Sequence, residues 1–334
     1  MKRLISLILV VSVLITCTSC GVKKDENKPY SASFKCFDTI VSLKVLDNIR
    51  SKDFEEVRKV FMSRCNKYDD KFSKTRFGSF VKKLNKNKFF SADKECIEIL
   101  KDSIKYSNLT DGNFDITVSP IVDLWGIDTS HFKIPNKLKI KKYLNLVDYK
   151  QIHFDNNTVH LTKAGSIDLG AIAKGNVTDK MVELLKYMKV KSAIIDMGGN
   201  IYAIGSKDGK PFNVGIHKPF SNGELSATVK IKDSAVITAG IDKRYKKRNG
   251  KIYPHIIDPK TGYPIDNDLN SVTVISKNAT AADALSTGFM VMRLEKGLKL
   301  ANKTKEIEAV FIDKDNKLHL TDGLKQDGKN ITLK

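Results

Sequence analysis

This sequence predicts a mixed α/β fold of the α+β kind, with mixed sheets flanked by helices, and not a regular doubly wound sheet. Three observations carry the prediction. Alternating, β-branched segments such as SVTVIS (271–276) recur at uneven intervals. Segments with apolar residues at helical spacing fall between them without a regular strand–helix beat. Hydrophobic residues make up 41% of the 334 and charged residues 29%, a balance that buries a core and argues against disorder.

In chain order, Lys2 and Arg3, the apolar run LISLILVVSVLI and the small residues of TCTSCG form a secretory signal over residues 1–19. The apolar run is short of the ~20 residues a membrane span needs. Its ending resembles a bacterial lipobox. Cys20, with Thr18 and Ser19 before it and Gly21 after, is the expected lipidation site, and Cys17 competes with it. Several acyl chains on Cys20 would hold the mature protein on the extracytoplasmic face of the cell membrane. Residues 20–33 then read as a polar tether and 34–334 as one domain.

Residues 34–46 (FKCFDTIVSLKVL) alternate as a strand does. Phe54, Val57, Phe61, Cys65 and Tyr68 mark a helix over 51–72, and Ile97, Leu100 and Ile104 mark another over 93–110, stopped by Asp111-Gly112. A loop-rich stretch with Pro120 and Trp125 leads to a short basic helix near 136–145, then strands near 150–155 and 158–162. A helix is expected from Gly175 to Met188, and AIIDMGGNIYAIG gives strand, glycine turn, strand. NVGIHKP, LSATVKIKD, AVITAG and SVTVIS continue as strands, ATAADALSTGFMVM (279–292) begins a helix, and 309–321 forms a closing hairpin. Besides Cys20, the cysteines left after signal removal are Cys36, Cys65 and Cys96. They are odd in number and far apart, which fits small buried hydrophobes better than disulfides or zinc.

Lys and Arg outnumber Asp and Glu by 58 to 38, a net charge of +20. The lysines are scattered and no nucleic-acid-binding module is present, so an anionic membrane surface explains the charge better than nucleic acid does.

Three segments carry residues suited to chemistry. In SIDLGAIAKGNVTDK (166–180), Gly170 and Gly175 let backbone approach a ligand, the following helix start favours an anion, and Lys174 adds charge. Asp168 would repel a phosphate, so it suits a ring nitrogen or a turn N–H; a purely structural corner fits the same residues. In TAADALSTG, Asp283, Ser286 and Thr287 share one helix face and offer only oxygen, a set suited to Mg²⁺. Helix capping by Thr280 and Asp283 is the competing reading. In KIYPHIIDPKTGYP (251–264), His255 ends a short strand beside a turn, where it serves either as structure or as a general base.

Together with NFDITVSPIVDLWG (113–126), DMGGNIYAIG (196–205) and TAGIDKRY (238–245), these segments occur in an order that resembles the ApbE family of flavin transferases, from about Phe37 to Phe311. The resemblance implies an ApbE-like fold related to the T-fold. It implies an enzyme that binds FAD as substrate with a divalent metal, usually Mg²⁺, and moves FMN onto a Thr or Ser of a target protein, releasing AMP. Some relatives instead hydrolyse FAD. The implied partners are an exported flavin acceptor, either a redox-pump subunit or an extracytoplasmic flavin reductase, and the membrane through the lipid anchor. By the same resemblance, Phe37, Asn113, Phe114, Asp115, Asp168, Lys174 and Ile257 correspond to flavin or FAD contacts. Ala171 (through its carbonyl), Asp283 and Thr287 correspond to metal ligands, Ser286 stands where some members have a further Asp, and His255 is the family's histidine and candidate base. Thr75 aligns where several transferases carry a stacking Tyr and where Asn accompanies hydrolysis; Phe77 or Tyr68 are nearby rings that could substitute.

Overall fold

In the computed structural model, which describes residues 29–334, the chain opens with a hairpin where one long strand was expected. Cys17, Cys20 and the signal lie outside the described residues. β1 (Tyr30–Cys36) begins within the stretch read as tether, and β2 (Thr39–Val45) runs back beside it. The two-residue turn is Phe37-Asp38, with φ of 52° and 54°, the left-handed pair that matches the twist of a tight hairpin. Period-2 alternation continues on both sides of such a turn, which is why the sequence read as one strand.

α1 (Ser51–Phe72), α2 (Phe80–Asn87), β3 (Phe89–Ser91) and α3 (Lys94–Leu109) follow. α4 (Ser119–Trp125) and α5 (Lys137–Leu144) precede β4 (Ile152–Asp155) and β5 (Thr158–Leu161). α6 (Ala173–Tyr187) leads to β6 (Ala193–Met197), β7 (Asn200–Ile204), β8 (Phe212–His217), β9 (Leu225–Ile231) and β10 (Ser234–Gly240). Next come a small hairpin, β11 (Tyr245–Arg248) and β12 (Lys251–Pro254), then β13 (Leu269–Ser276) and α7 (Ala279–Lys303). β14 (Glu308–Asp313) and β15 (Leu318–Leu320) do not close the chain; β16 (Leu324–Asp327) and β17 (Asn330–Leu333) add a further hairpin.

The main sheet has eight strands in the order β1-β2-β6-β7-β10-β13-β14-β15, and every pairing in it is antiparallel. One face packs on helices: Ile195, Tyr202, Ile237, Val272, Val274 and Phe311 meet α1, α6 and α7. The other face packs on a second sheet, ordered β16-β17-β9-β8, through Ala203, Val236, Ile275, Val310 and Ile312. β13 sits in the middle of this sandwich and is buried at all eight positions, as a strand covered on both faces must be. A third, smaller core joins α4 and α5 to the chain after β12; there Trp125 Nε1 donates to the Gly262 carbonyl at 2.8 Å. Cys36, Cys65 and Cys96 are free, buried thiols, as their spacing suggested.

Candidate active site

The site forms where the starts of α6 and α7 cross. A Cβ on Gly175 would stand 2.3 Å from the Ala279 carbonyl oxygen and 2.6 Å from Asp283 Cβ, so only glycine permits the approach. At that contact the Gly175 N–H donates to Asp283 Oδ2 at 2.8 Å. Gly175 is the third residue of α6, so its N–H is one of the helix-start donors without an intrahelical acceptor, and Asp283 satisfies it. The Ala171 carbonyl, two residues before the first helical residue, has no backbone partner among the described residues. Asn200, the first residue of β7, donates from Nδ2 to Asp283 Oδ1 at 2.9 Å. Lys174 Nζ lies 3.9 Å from the same oxygen and 3.3 Å from the Gly170 carbonyl. Asp283 is only 5% exposed.

Capping and ligation were competing readings of the α7 start, and the capping is done by other residues. Asn278 is the N-cap, accepting from the Ala281 N–H at 2.7 Å. Asp179 accepts from the N–H groups of Ala279 and Thr280 at 2.8 Å each and from the Thr280 hydroxyl at 2.6 Å. Thr280 therefore does not cap, and Asp283 faces the crossing instead of the helix end. Thr287 lies one turn on along the same face and is half-buried. Ser286, the third oxygen of this face, is buried and donates its hydroxyl to the Asp283 backbone carbonyl at 2.9 Å, which leaves its own lone pairs uncommitted.

These donors fit a hard cation. Each Asp283 oxygen accepts one N–H and keeps a lone pair, the Ala171 carbonyl is uncommitted, and Thr287 adds a hydroxyl. Among the described residues no three His, Cys, Asp or Glu side chains gather as a metal site. A cation held here would thus complete its shell from water or phosphate oxygens, the habit of Mg²⁺.

The awkward Asp168 is neutralised from a distance. Its Oδ1 accepts the Gly170 N–H at 2.8 Å, which shapes the turn, and its Oδ2 pairs with Lys74 Nζ at 2.8 Å. Lys74 also pairs with Asp123 of α4 at 2.8 Å. Burial alone would lower the Lys74 ammonium; the two carboxylates overcome this and raise it. Sequence reasoning missed Lys74 and Asn200, since the only local hint was the DMGGN glycine turn. Lys74 holds its loop against the turn that carries Asp168, and that loop bears exposed Thr75 and, two residues on, Phe77 at 99% exposure. Of the two rings considered near Thr75, Tyr68 is buried with its hydroxyl on Glu95 at 2.8 Å, which leaves Phe77 as the one open to a ligand.

His255 follows β12 directly. Its Nδ1 lies 3.0 Å from the Arg244 carbonyl, and because a carbonyl only accepts, Nδ1 carries the proton and Nε2 is free to take one. Burial first, then the Arg244 guanidinium and more weakly the Lys174 ammonium, bring the imidazole down to about 4, so it is neutral at physiological pH.

The remaining residues take supporting positions. Phe37 is half-buried, with its N–H on Asp69 Oδ2 at 3.0 Å, and the neighbouring Thr39 packs so closely on Gly198 that a Cβ there would sit 2.2 Å from its Oγ1. This seats the β1–β2 turn on the β6–β7 turn that presents Asn200. Asn113 Nδ2 donates to the Thr110 carbonyl at 2.6 Å. The Phe114 ring is buried in the main core and the Ile257 side chain in the small one, so neither side chain is offered to a ligand, and the Phe114 N–H is itself held by the Thr110 hydroxyl at 3.0 Å. Asp115 accepts from the Thr117 N–H and hydroxyl at 2.7 Å each and from the Tyr149 N–H at 3.1 Å, while burial pushes its carboxyl up to about 6. Its carboxylate is committed to shaping the loop.

Residues 37–311 match the model of the ApbE family. The chain is 34% identical over 250 residues to the FAD:protein FMN transferase of Treponema pallidum, covering 70% of this chain and 69% of that one. It is 30% identical over 331 residues to the FAD:protein FMN transferase of Haemophilus influenzae, covering 95% of each. Its structure resembles the crystal structure of the ApbE protein of Thermotoga maritima, with a TM-score of 0.82 at 29% identity over 88% of this chain and 97% of that one. It also resembles the flavin transferase ApbE of Vibrio cholerae, with a TM-score of 0.78 at 26% identity over 89% and 98%. With the matched residues spanning the Asp283 crossing, the Asp168 turn and the His255 strand, this chain is a member of the ApbE family.

Proposed function

We propose that this protein transfers FMN from FAD to a Thr or Ser hydroxyl of an exported protein, releasing AMP, and does so with Mg²⁺. The observation that carries the reading is the buried Asp283 carboxylate, held at the α6–α7 crossing by the Gly175 N–H and by Asn200 with a lone pair left on each oxygen. Asp283, Thr287 and the Ala171 carbonyl would hold the Mg²⁺, whose charge, when bound, offsets that developing on the diphosphate. The Lys174 ammonium and the positive end of the α6 dipole favour the same anion. The acceptor oxygen attacks the phosphorus of the FMN half, its proton passes to His255 Nε2, and the P–O bond to AMP breaks, with AMP leaving on its own oxygen. Anchoring through Cys20 on the extracytoplasmic face would set this site among exported proteins.

One observation favours FAD hydrolysis as the second reading: Thr75 has no ring, and Tyr68 cannot supply one. Incubation with FAD, Mg²⁺ and candidate exported domains from the same cell separates the two. Transfer yields AMP and a domain that carries flavin fluorescence through a denaturing gel. Hydrolysis yields AMP and free FMN with no labelled domain, and intact FAD contradicts both.

A further inference from the structure

The β11–β12 hairpin stands outside the three larger sheets, paired only with itself, and turns at Asn249-Gly250 with φ of 51° and 76°. From Lys243 to Lys251 it carries Lys243, Arg244, Lys246, Lys247, Arg248 and Lys251, with no acidic residue among them. Arg244 pairs with Asp128 at 3.1 Å and Lys251 with Asp266 at 2.9 Å. The other four pair with no carboxylate among the described residues, and all but half-buried Lys246 are exposed.

A run of cations is ordinarily a solvated face; two features set this one apart. First, it is continuous with the site: β12 ends at Pro254, His255 is the next residue, and the carbonyl that fixes the His255 ring belongs to Arg244 on the other arm. Second, the cations flank apolar surface. Phe220 and Tyr245 meet edge to face at 6.0 Å while remaining 50% and 42% exposed. Behind them a cleft of about 520 Å³ is walled by Ile241, Ile252, Pro254 and Ile265 together with Lys314, Asn270 and Asp266, the last of these already paired with Lys251. Exposed rings beside a cleft of mixed apolar and polar walls, bordered by cations, suit a protein-binding surface.

We propose that this hairpin and the cleft beneath it are the docking surface for the flavin-accepting protein, and that they recognise an acidic segment flanking its acceptor hydroxyl. The inference rests on the transfer reading above, since only a macromolecular acceptor has to lie against the surface around His255. Charge complementarity selects the acidic segment: opposing charge speeds encounter and fixes register, and the four unpaired cations have no intramolecular use.

The test compares two triple variants of equal net charge. One reverses the hairpin (Lys246→Glu, Lys247→Glu, Arg248→Glu); the other reverses exposed lysines at and just beyond the end of α7 (Lys299→Glu, Lys303→Glu, Lys305→Glu). The acceptor is the exported domain that the wild-type chain labels, assayed at low salt. The hairpin variant should raise the KM for that domain at least ~10-fold and the control less than ~2-fold, with FAD binding, read by flavin fluorescence, unchanged in both. An unchanged KM, or an equal rise in both variants, overturns the docking surface. So does a hairpin variant that loses binding to phosphatidylglycerol vesicles while its KM stays put, which would assign the charge to the membrane. If the wild type labels no exported domain yet releases AMP, the transfer reading fails and this inference falls with it.

Discussion

Asp283 has one N–H donor on each oxygen, and those two donors set where its remaining lone pairs point. Their origins lie 108 and 83 residues away in sequence, at Gly175 and Asn200. The sequence therefore marked the carboxylate, through its spacing to Thr287, but could not mark Asn200, whose role exists only once β7 stands beside α7. Replacing Asn200 with Leu removes a hydrogen bond to a charged group, a contact typically worth ~1.5–3 kcal/mol. The expected result is a ~10–100-fold rise in the Mg²⁺ concentration needed for half-maximal AMP release, with the rate at saturating Mg²⁺ little changed. An unaltered Mg²⁺ titration would show that Asn200 does not orient Asp283. His255 carries a second residue-scale prediction. Its folded pKa of about 4 lies below the ordinary histidine value of ~6.5, so between those values the unfolded chain binds the extra proton. This ring's contribution to stability therefore grows as pH rises through that window. The base-competent neutral form persists to the same limit, so the acid limb of kcat/KM for AMP release should fall near pH 4. A limb centred on ~6.5 would mean that the ring is not desolvated when it acts, and a limb unchanged in His255→Gln would mean that His255 is not the base.

At the scale of elements, the α6–α7 crossing is the structural requirement of the site. Gly175→Ala sets a methyl group against backbone at Ala279, and neither helix can yield locally without pulling the Gly175 N–H from Asp283. Overpacking of this kind costs ~1–3 kcal/mol or more. We expect a lower urea midpoint together with loss of Mg²⁺-stimulated AMP release. A variant with wild-type values of both would remove the crossing from the account. Two of the long elements were legible by period: α1 and α3 repeat their apolar residues often enough for it to show, and Asp93 caps α3; α7 is buried nearly all round at its start, was read only as far as Met292, and breaks its helical backbone at Arg293, where φ is 68°. α2 and α4 were not legible, because eight and seven residues hold too few repeats, and α4 also begins at Ser119-Pro120 in a stretch that reads as loop. The Phe37-Asp38 turn was hidden for a different reason: neither residue is the glycine or asparagine that usually announces positive φ.

Across the whole molecule, a sheet covered by helices on one face and a smaller sheet on the other gathers distant segments at one place. The α+β class was legible from the uneven order of strands and helices; the strand order was not, because antiparallel neighbours such as β2 and β6 lie far apart in sequence. The same gathering explains why each motif was ambiguous alone. Asp168 looked unsuited to an anion until Lys74 stood against it, and Asp283 looked like a cap until Asp179 and Asn278 occupied that role. The account centres on a cation held by Asp283 acting on the diphosphate of FAD. Its most direct test is AMP release from FAD as Mg²⁺ is titrated, comparing the wild type with Asp283→Ala. The account predicts saturable stimulation in the wild type and none in the variant, which should still fold; equal stimulation in both would contradict it.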